Sequence, residues 1–350
     1  MRCLVVIFAY LVASCLAVFT ALDKLYNETE ARQMLKMVAA TTAPNKLECI
    51  RQAHPKSEKY KIVEEFDMPC DFLGSPCSGY IAVSKKLKQM TLAFRSSETP
   101  GQLALQMWSL ITPDMKFGHL GKVNRYFSRS HDIIWPSIQK TLNKKKFKDY
   151  DVVITGHSLG GALASLAAVR LVADGHRRSD QVKLFTYGEP RVGNLEFSRR
   201  FSLLVPYSFR IVHAIDLITR LPVCTRAKNA NGPTSAGLHD GPCDGDDPRG
   251  SYHHGLEIWY PGDMKEGSSF TVCDGLPINE DFQCSSGVKP TITNATEMLF
   301  NHLYYFDVDV SAFGFSNCNS TISYKEPNRS LGIIGIFKEV SRWLKRVLPI

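Results

Sequence analysis

Between Asp151 and Leu171 the chain reads DVVITGHSLGGALASLAAVRL, and few folds accommodate such a stretch. Asp151 to Thr155 is a short apolar run rich in β-branched residues, the pattern of a buried strand. Gly156-His157-Ser158-Leu159-Gly160 fits G-x-S-x-G, and an Ala/Leu-rich helix follows at once. A serine on a sharp strand-to-helix turn needs glycines on both sides, because the two elements pack too closely for side chains there. The turn lifts the Ser158 hydroxyl out of the sheet. It also sets the Leu159 N–H at a helix N-terminus, where a developing negative charge is favoured.

The flanking sequence predicts an α/β architecture. Val123 to Leu142 and Leu195 to Leu204 have helical character. Lys183 to Tyr187, Ser208 to Ala214 and Leu256 to Tyr260 read as strands, the last being the final clear one. Upstream, Gly79 to Ser84 and Gln89 to Arg95 read as two strands joined by the basic turn Lys85-Lys86-Leu87-Lys88. Met68 to Ser78, with two prolines and two cysteines, reads as a loop. Asn27 to Ala40 repeats apolar residues with a helical period and is expected on the back of the sheet. Strands alternating with helices imply a mostly parallel central sheet flanked by helices, with functional groups at the carboxyl ends of the strands.

The N-terminus points to an oxidising compartment. A minimal basic start, Met1-Arg2, precedes an apolar run from Cys3 to Val18, with small residues at Cys15 and Ala17. This is the pattern of a signal peptide over residues 1–21, cleaved between Ala17 and Ala21. A catalytic domain over 22–325 and a basic tail over 326–350 follow. Ten cysteines are present, and eight outlast cleavage: Cys49, Cys70, Cys77, Cys224, Cys243, Cys273, Cys284 and Cys318. An even count in an exported chain implies disulfides. Short loops favour Cys70 with Cys77 and Cys273 with Cys284, and the Gly/Asp-rich stretch after Cys224 suggests a staple to Cys243. Sequons stand at Asn27, Asn294, Asn319 and Asn328. No cofactor and no metal are expected: C-x-x-C pairs are missing, and the acidic cluster Asp240, Asp244, Asp246 and Asp247 lacks calcium-loop spacing. A formal charge of +8 on 350 residues, with no nucleic-acid motif, reads as solvated surface charge.

A serine hydroxyl is a weak nucleophile, so Ser158 needs a base and the base needs an orienting carboxylate. In a sheet of this kind the order along the chain is Ser, then acid, then His. Asp216 lies just past an apolar strand and is the best acid. Tyr252-His253-His254-Gly255 precedes the last clear strand and offers two candidate bases. His157 neighbours Ser158 and should point away, and His302 reads as packing.

Several motifs in order make a family resemblance plain. Cys77 to Tyr80, Leu92 to Ser97 (LAFRSS), Gly121 to Val123, Gly156 to Gly161, Thr186 to Asn194 (TYGEPRVGN), Val212 to Pro222 and His253 to Tyr260 (HHGLEIWY) all contribute. Across roughly residues 30–310 the chain resembles the fungal-type, class three lipases, most closely the secreted, cysteine-rich nematode members. The resemblance implies an α/β-hydrolase fold with Ser158 as nucleophile and Asp216 as orienting acid. It implies His253 as base, four residues before Glu257 of the E-x-W segment, with His254 as the alternative. The oxyanion hole would be Leu159 and Ser97. The family usually has F-R-G-[ST], and here Ser96 replaces the glycine. Losing one oxyanion donor costs ~2.7–4 kcal/mol, so an altered or slower pocket is the expectation.

A lipid substrate is suggested by Leu103, Leu105, Met107, Trp108, Leu110 and Ile111, crowded between Pro100-Gly101 and Pro113. The segment reads as an amphipathic lid over the site, or otherwise as a core helix. Exposing four such side chains in water would cost ~6–12 kcal/mol as an upper bound, which a lipid interface would offset. In the tail, Ile333, Ile336, Phe337, Val340, Leu344 and Val347 share one helical face. A basic amphipathic helix there would touch a membrane peripherally or dock on the domain. The expected activity is hydrolysis of acylglycerol esters. Phospholipase or other esterase activity is the alternative, and a weakly active lipid carrier is the reading from another class.

Overall fold

Eight strands hydrogen-bond into one sheet, and their spatial order is their order along the chain. They are β1 (Tyr60–Pro69), β2 (Pro76–Ser84), β3 (Gln89–Phe94), β4 (Asp151–His157), β5 (Val182–Tyr187), β6 (Ser208–His213), β7 (Leu256–Tyr260) and β8 (Thr271–Cys273). The five from β3 to β7 are mutually parallel, and β1, β2 and β8 complete the edges antiparallel. The structure is a computed structural model that describes residues 26–56, 58–71, 74–97, 114–227, 241–288 and 295–319. The signal-peptide reading, the lid segment Leu103 to Ile111, the tail, Asn294 and Asn328 lie outside the described residues.

Each face of the sheet buries its own core. Val152 and Ile154 of β4 point to one cluster, with α3 (Arg125–Leu142), α4 (Leu159–Ala173) and α5 (Leu195–Leu204). Val153, Phe185, Tyr187, Phe209 and Ile211 point to the other, against α1 (Glu28–Ala39) and α2 (Lys46–Ala53). Burial on both faces is why the central strands read as unbroken apolar runs. Helix starts are fixed by asparagine caps: the side-chain oxygens of Asn27, Asn124 and Asn194 accept from the N–H groups of Glu30, Tyr126 and Phe197 at 2.9, 2.9 and 3.1 Å. Each such cap contributes about 1 kcal/mol.

Two elements depart from the expectation. The expected loop Met68 to Ser78 is loop only in its middle, where Cys70, Asp71, Gly74 and Ser75 lie outside the strands, while Met68 and Pro69 end β1 and Pro76 to Ser78 begin β2. β1 was hidden because it is an edge strand with several acids and a register shift between Ile62 and Glu64, which breaks strict alternation. The short β8 pairs only with β7 and carries too few residues to show a period. All eight cysteines beyond residue 21 are paired: Cys49–Cys318, Cys70–Cys77, Cys224–Cys243 and Cys273–Cys284. The first of these joins α2 to the segment after α7 (Val310–Phe315), across 269 positions of sequence.

Candidate active site

Ser158 stands between the end of β4 and the start of α4 with φ 55° and ψ −124°, a strained backbone for a residue with a side chain. Its N–H donates to the Tyr187 carbonyl at 2.9 Å, which pins the turn to the end of β5. The flanking glycines are a steric requirement. A Cβ on Gly156 would lie 2.1 Å from the Gly160 carbonyl oxygen, and one on Gly160 would lie 2.6 Å from that of Phe94.

His302 meets this serine. Its Nε2 lies 2.9 Å from Ser158 Oγ, and its Nδ1 lies 2.9 and 3.0 Å from the two oxygens of Asp216. All three side chains are buried. Helix α6 (Ala295–Leu303) carries His302, and the helix and the residue after it are moored to the end of β6 and the loop that follows. Leu217 N–H donates to the Met298 carbonyl at 3.4 Å, and His213 Nδ1–H donates to the Tyr304 carbonyl at 2.6 Å. Tyr305 adds a donor, its hydroxyl lying 2.6 Å from Asp216 Oδ2, while Ile218 N–H donates to Oδ1 at 2.8 Å. Burial pushes the Asp216 carboxyl up, but the charge and hydrogen bond of His302, then Tyr305 and Ile218 N–H, outweigh it and hold the group below its usual range. Burial and Asp216 push the Tyr305 phenol well up, so it remains a donor. Gly188, with φ 56°, lets the backbone pass this pair: a Cβ there would lie 2.7 Å from Asp216 Oδ2.

His253 is not at this site, which corrects the expectation. Its Nε2–H donates to the Thr219 carbonyl at 2.6 Å, and its backbone N–H donates to Glu280 Oε1 at 2.8 Å. Glu280 is clamped by Arg191 through two bonds of 2.6 and 2.8 Å in full burial. His253 therefore belongs to an ionic latch that ties the loop before β7 to the Cys273–Cys284 loop. Burial first, then Arg210 and Arg191, push its imidazole well below the usual range and keep it neutral. The alternative, His254, is also elsewhere, with Nε2 2.9 Å from Ser165 Oγ.

The remaining candidates fall beside the elbow. Leu159 opens α4, so its N–H has no acceptor within the helix. Phe94 pairs in register with Gly156, and Ser97 lies three residues further on, half-buried. Asn27 and Asn319 are exposed. The buried set Glu257, Cys273 and Cys284 has metal-like proximity, but both its cysteines are consumed in a disulfide, so they offer no thiolate.

Residues 91–226 match the model of the Lipase (class 3) family. A Caenorhabditis elegans protein, lipase ZK262.3, is 42% identical over 320 residues, covering 91% of this chain and 90% of that one. The chain belongs to the class 3 lipase family. As such it is a carboxylic ester hydrolase. The secreted mono- and diacylglycerol lipase A of Penicillium cyclopium is 30% identical over 182 residues, 51% of this chain and 57% of that protein. A solved triacylglycerol lipase whose catalytic centre is a serine protease triad superposes with a TM-score of 0.57 at 21% identity, over 81% of this chain and 95% of that one. At that identity the likeness shows the shared α/β-hydrolase fold.

Sequence reasoning on this class 3 lipase missed His302 and Tyr305. Counting from the E-x-W segment led to His253, whereas the signal lay in Asn301-His302-Leu303-Tyr304-Tyr305. There a histidine and a tyrosine three residues apart both reach Asp216.

Proposed function

We propose that the protein is a secreted lipase that hydrolyses acylglycerol esters at a lipid surface through Ser158, His302 and Asp216. The observation that carries this reading is the continuous line from Ser158 Oγ to His302 Nε2 and from His302 Nδ1 to Asp216, on a strained turn at a helix N-terminus. His302 takes the hydroxyl proton as Ser158 attacks the ester carbonyl, and returns it to the leaving alcohol. Asp216 fixes the tautomer with hydrogen on Nδ1 and stabilises the imidazolium. The N–H of Leu159 and the Ser97 backbone, with its hydroxyl, receive the oxyanion. Water then cleaves the acyl-enzyme by the same route in reverse.

Export is supported by the apolar N-terminal segment and by the pairing of every later cysteine, which an oxidising compartment maintains. Glycans at Asn27 and Asn319 would sit on exposed side chains. At Asn27 the amide nitrogen would carry the sugar while the oxygen continues to cap α1. Acylglycerol is favoured by the names of the relatives and by the apolar segment Leu103 to Ile111, which would open at an interface.

The test is fatty-acid release from emulsified triacylglycerol across its solubility limit, comparing wild type with Ser158→Ala, His302→Ala and His253→Ala. A rate jump above the limit is expected, with loss in the first two variants and retention in the third. Retained turnover in His302→Ala, or equal rates on dispersed and emulsified ester, would sink the corresponding part of the reading.

A further inference from the structure

Ser96 stands two residues beyond β3, and its buried hydroxyl meets the histidine next to the elbow serine: Oγ lies 2.5 Å from His157 Nδ1 and 3.1 Å from the His157 carbonyl oxygen. The other nitrogen of that ring, Nε2, lies 2.7 Å from the backbone carbonyl oxygen of His302. The two imidazoles stack, with centroids 4.7 Å apart and planes 29° from parallel.

Proton positions follow from these contacts. A carbonyl oxygen can only accept, so His157 Nε2 carries the hydrogen. Burial, then the nearby His302, push the His157 imidazole down to about 3, so near neutrality it has a single N–H. Nδ1 is therefore an acceptor, and the Ser96 hydroxyl donates to it. The His302 carbonyl lies in the last turn of α6, where no intrahelical donor reaches it, and His157 supplies one.

We propose that Ser96 and His157 are positioning residues for the base, forming a relay that couples the backbone of His302 to the nucleophile elbow. This inference rests on the triad reading above. Ser158 and His157 are consecutive, so the elbow that presents the hydroxyl also grips the residue that must receive its proton. Asp216 sets the outer edge of the His302 ring, and His157 sets its carbonyl and covers its face. Ser96 selects the His157 tautomer that makes this possible. It also keeps His157 uncharged, since a donor at Nδ1 opposes protonation there and a cation stacked on His302 would oppose imidazolium formation. Ser96 thus has a function separate from the oxyanion hole.

The experiment measures kcat and KM on one ester for Ser96→Ala, Ser96→Gly, Ser96→Thr, His157→Gln and Ser158→Ala, with the thermal midpoint of each. Histidine nitrogen NMR on the wild type reads the His157 tautomer. Ser96→Ala and Ser96→Gly are expected to lower kcat about tenfold with KM unchanged, because a base displaced by a fraction of an ångström loses attack geometry. Ser96→Thr, which keeps the hydroxyl, is expected to restore most of that loss. NMR is expected to show hydrogen on Nε2 alone. A tautomer with hydrogen on Nδ1 overturns the relay without any variant having to fold. Unchanged kcat in Ser96→Ala, beside an inactive Ser158→Ala, overturns the relay and leaves the triad reading standing. An active Ser158→Ala overturns the triad reading itself, and the relay with it.

Discussion

Among the described residues two serine–histidine–carboxylate sets lie buried, and their serines are both on or beside α4. Ser158, His302 and Asp216 form one; Ser165, His254 and Glu189 form the other. In the first set the histidine bridges with two different nitrogens, so a proton accepted at Nε2 is balanced by a carboxylate at Nδ1. In the second, the Ser165 hydroxyl donates directly to Glu189 Oε1, and His254 Nε2 meets both Ser165 Oγ at 2.9 Å and Glu189 Oε1 at 3.5 Å. Among the described residues His254 Nδ1 has no hydrogen-bond partner. The Ser165 proton is already committed to a carboxylate, so no relay exists. Ser165 also sits inside a helix with ordinary geometry, whereas Ser158 holds a strained turn at the helix N-terminus. Residue types in proximity do not make a nucleophile; the order of atoms and the backbone beneath them do.

That contrast can be broken most forcefully at His302. His302→Ala is expected to lower kcat about 10⁴-fold or more, since triad members act as a unit. Ser165→Ala should leave kcat within a few fold, and reversed results in a side-by-side assay would exchange the two assignments. The next largest effect concerns acid. His157 titrates at about 3 in the folded protein against 6.5 unfolded, so the unfolded chain takes up the proton first. Its contribution to stability is whole above pH ~6.5 and falls by about 1.4 kcal/mol per pH unit as pH drops toward 3. Urea midpoints at pH 7 and pH 5 should therefore diverge less in His157→Gln than in wild type. Equal divergence would mean that His157 is not buried neutral beside the triad. A smaller effect is expected from Tyr305→Phe, which removes one charge-assisted donor to Asp216 worth about 1.5–3 kcal/mol. A kcat reduced 10- to 100-fold at unchanged KM would place that energy in the triad. A lowered unfolding midpoint at unchanged kcat would place it in the scaffold. The smallest change sharpens the second set. Ser165→Ala is expected to destabilise by about 1–3 kcal/mol, by leaving Glu189 and His254 short of a partner, measured by urea unfolding.

How far the chain could be read depended on how local each signal was. The elbow was legible because strand, glycines, serine and helix are consecutive, and sterics alone force the turn. Asp216 was legible because it follows an apolar strand directly. Cys70–Cys77 and Cys273–Cys284 were legible from their short loops and Cys224–Cys243 from the Gly/Asp-rich stretch after Cys224, while Cys49–Cys318 spans most of the domain and left no local trace. His302 was not legible by counting. It lies 86 residues past Asp216, beyond a disulfide loop, and nothing near it in sequence says that α6 returns to the mouth of the sheet. His253 was attractive because it precedes a strand of the parallel sheet, yet that strand end is occupied by the Arg191–Glu280 latch.

The sequence by itself determined a mostly parallel α/β sheet, a serine on the strand-to-helix turn after β4 and the place of Asp216 just past β6, because each follows from residues within one element of each other. Only the tertiary structure decided which histidine meets Ser158 and Asp216 and what the Ser96 hydroxyl touches. Both depend on hydrogen bonds between segments far apart in the chain, and such bonds are set by how helices and loops dock on the finished sheet.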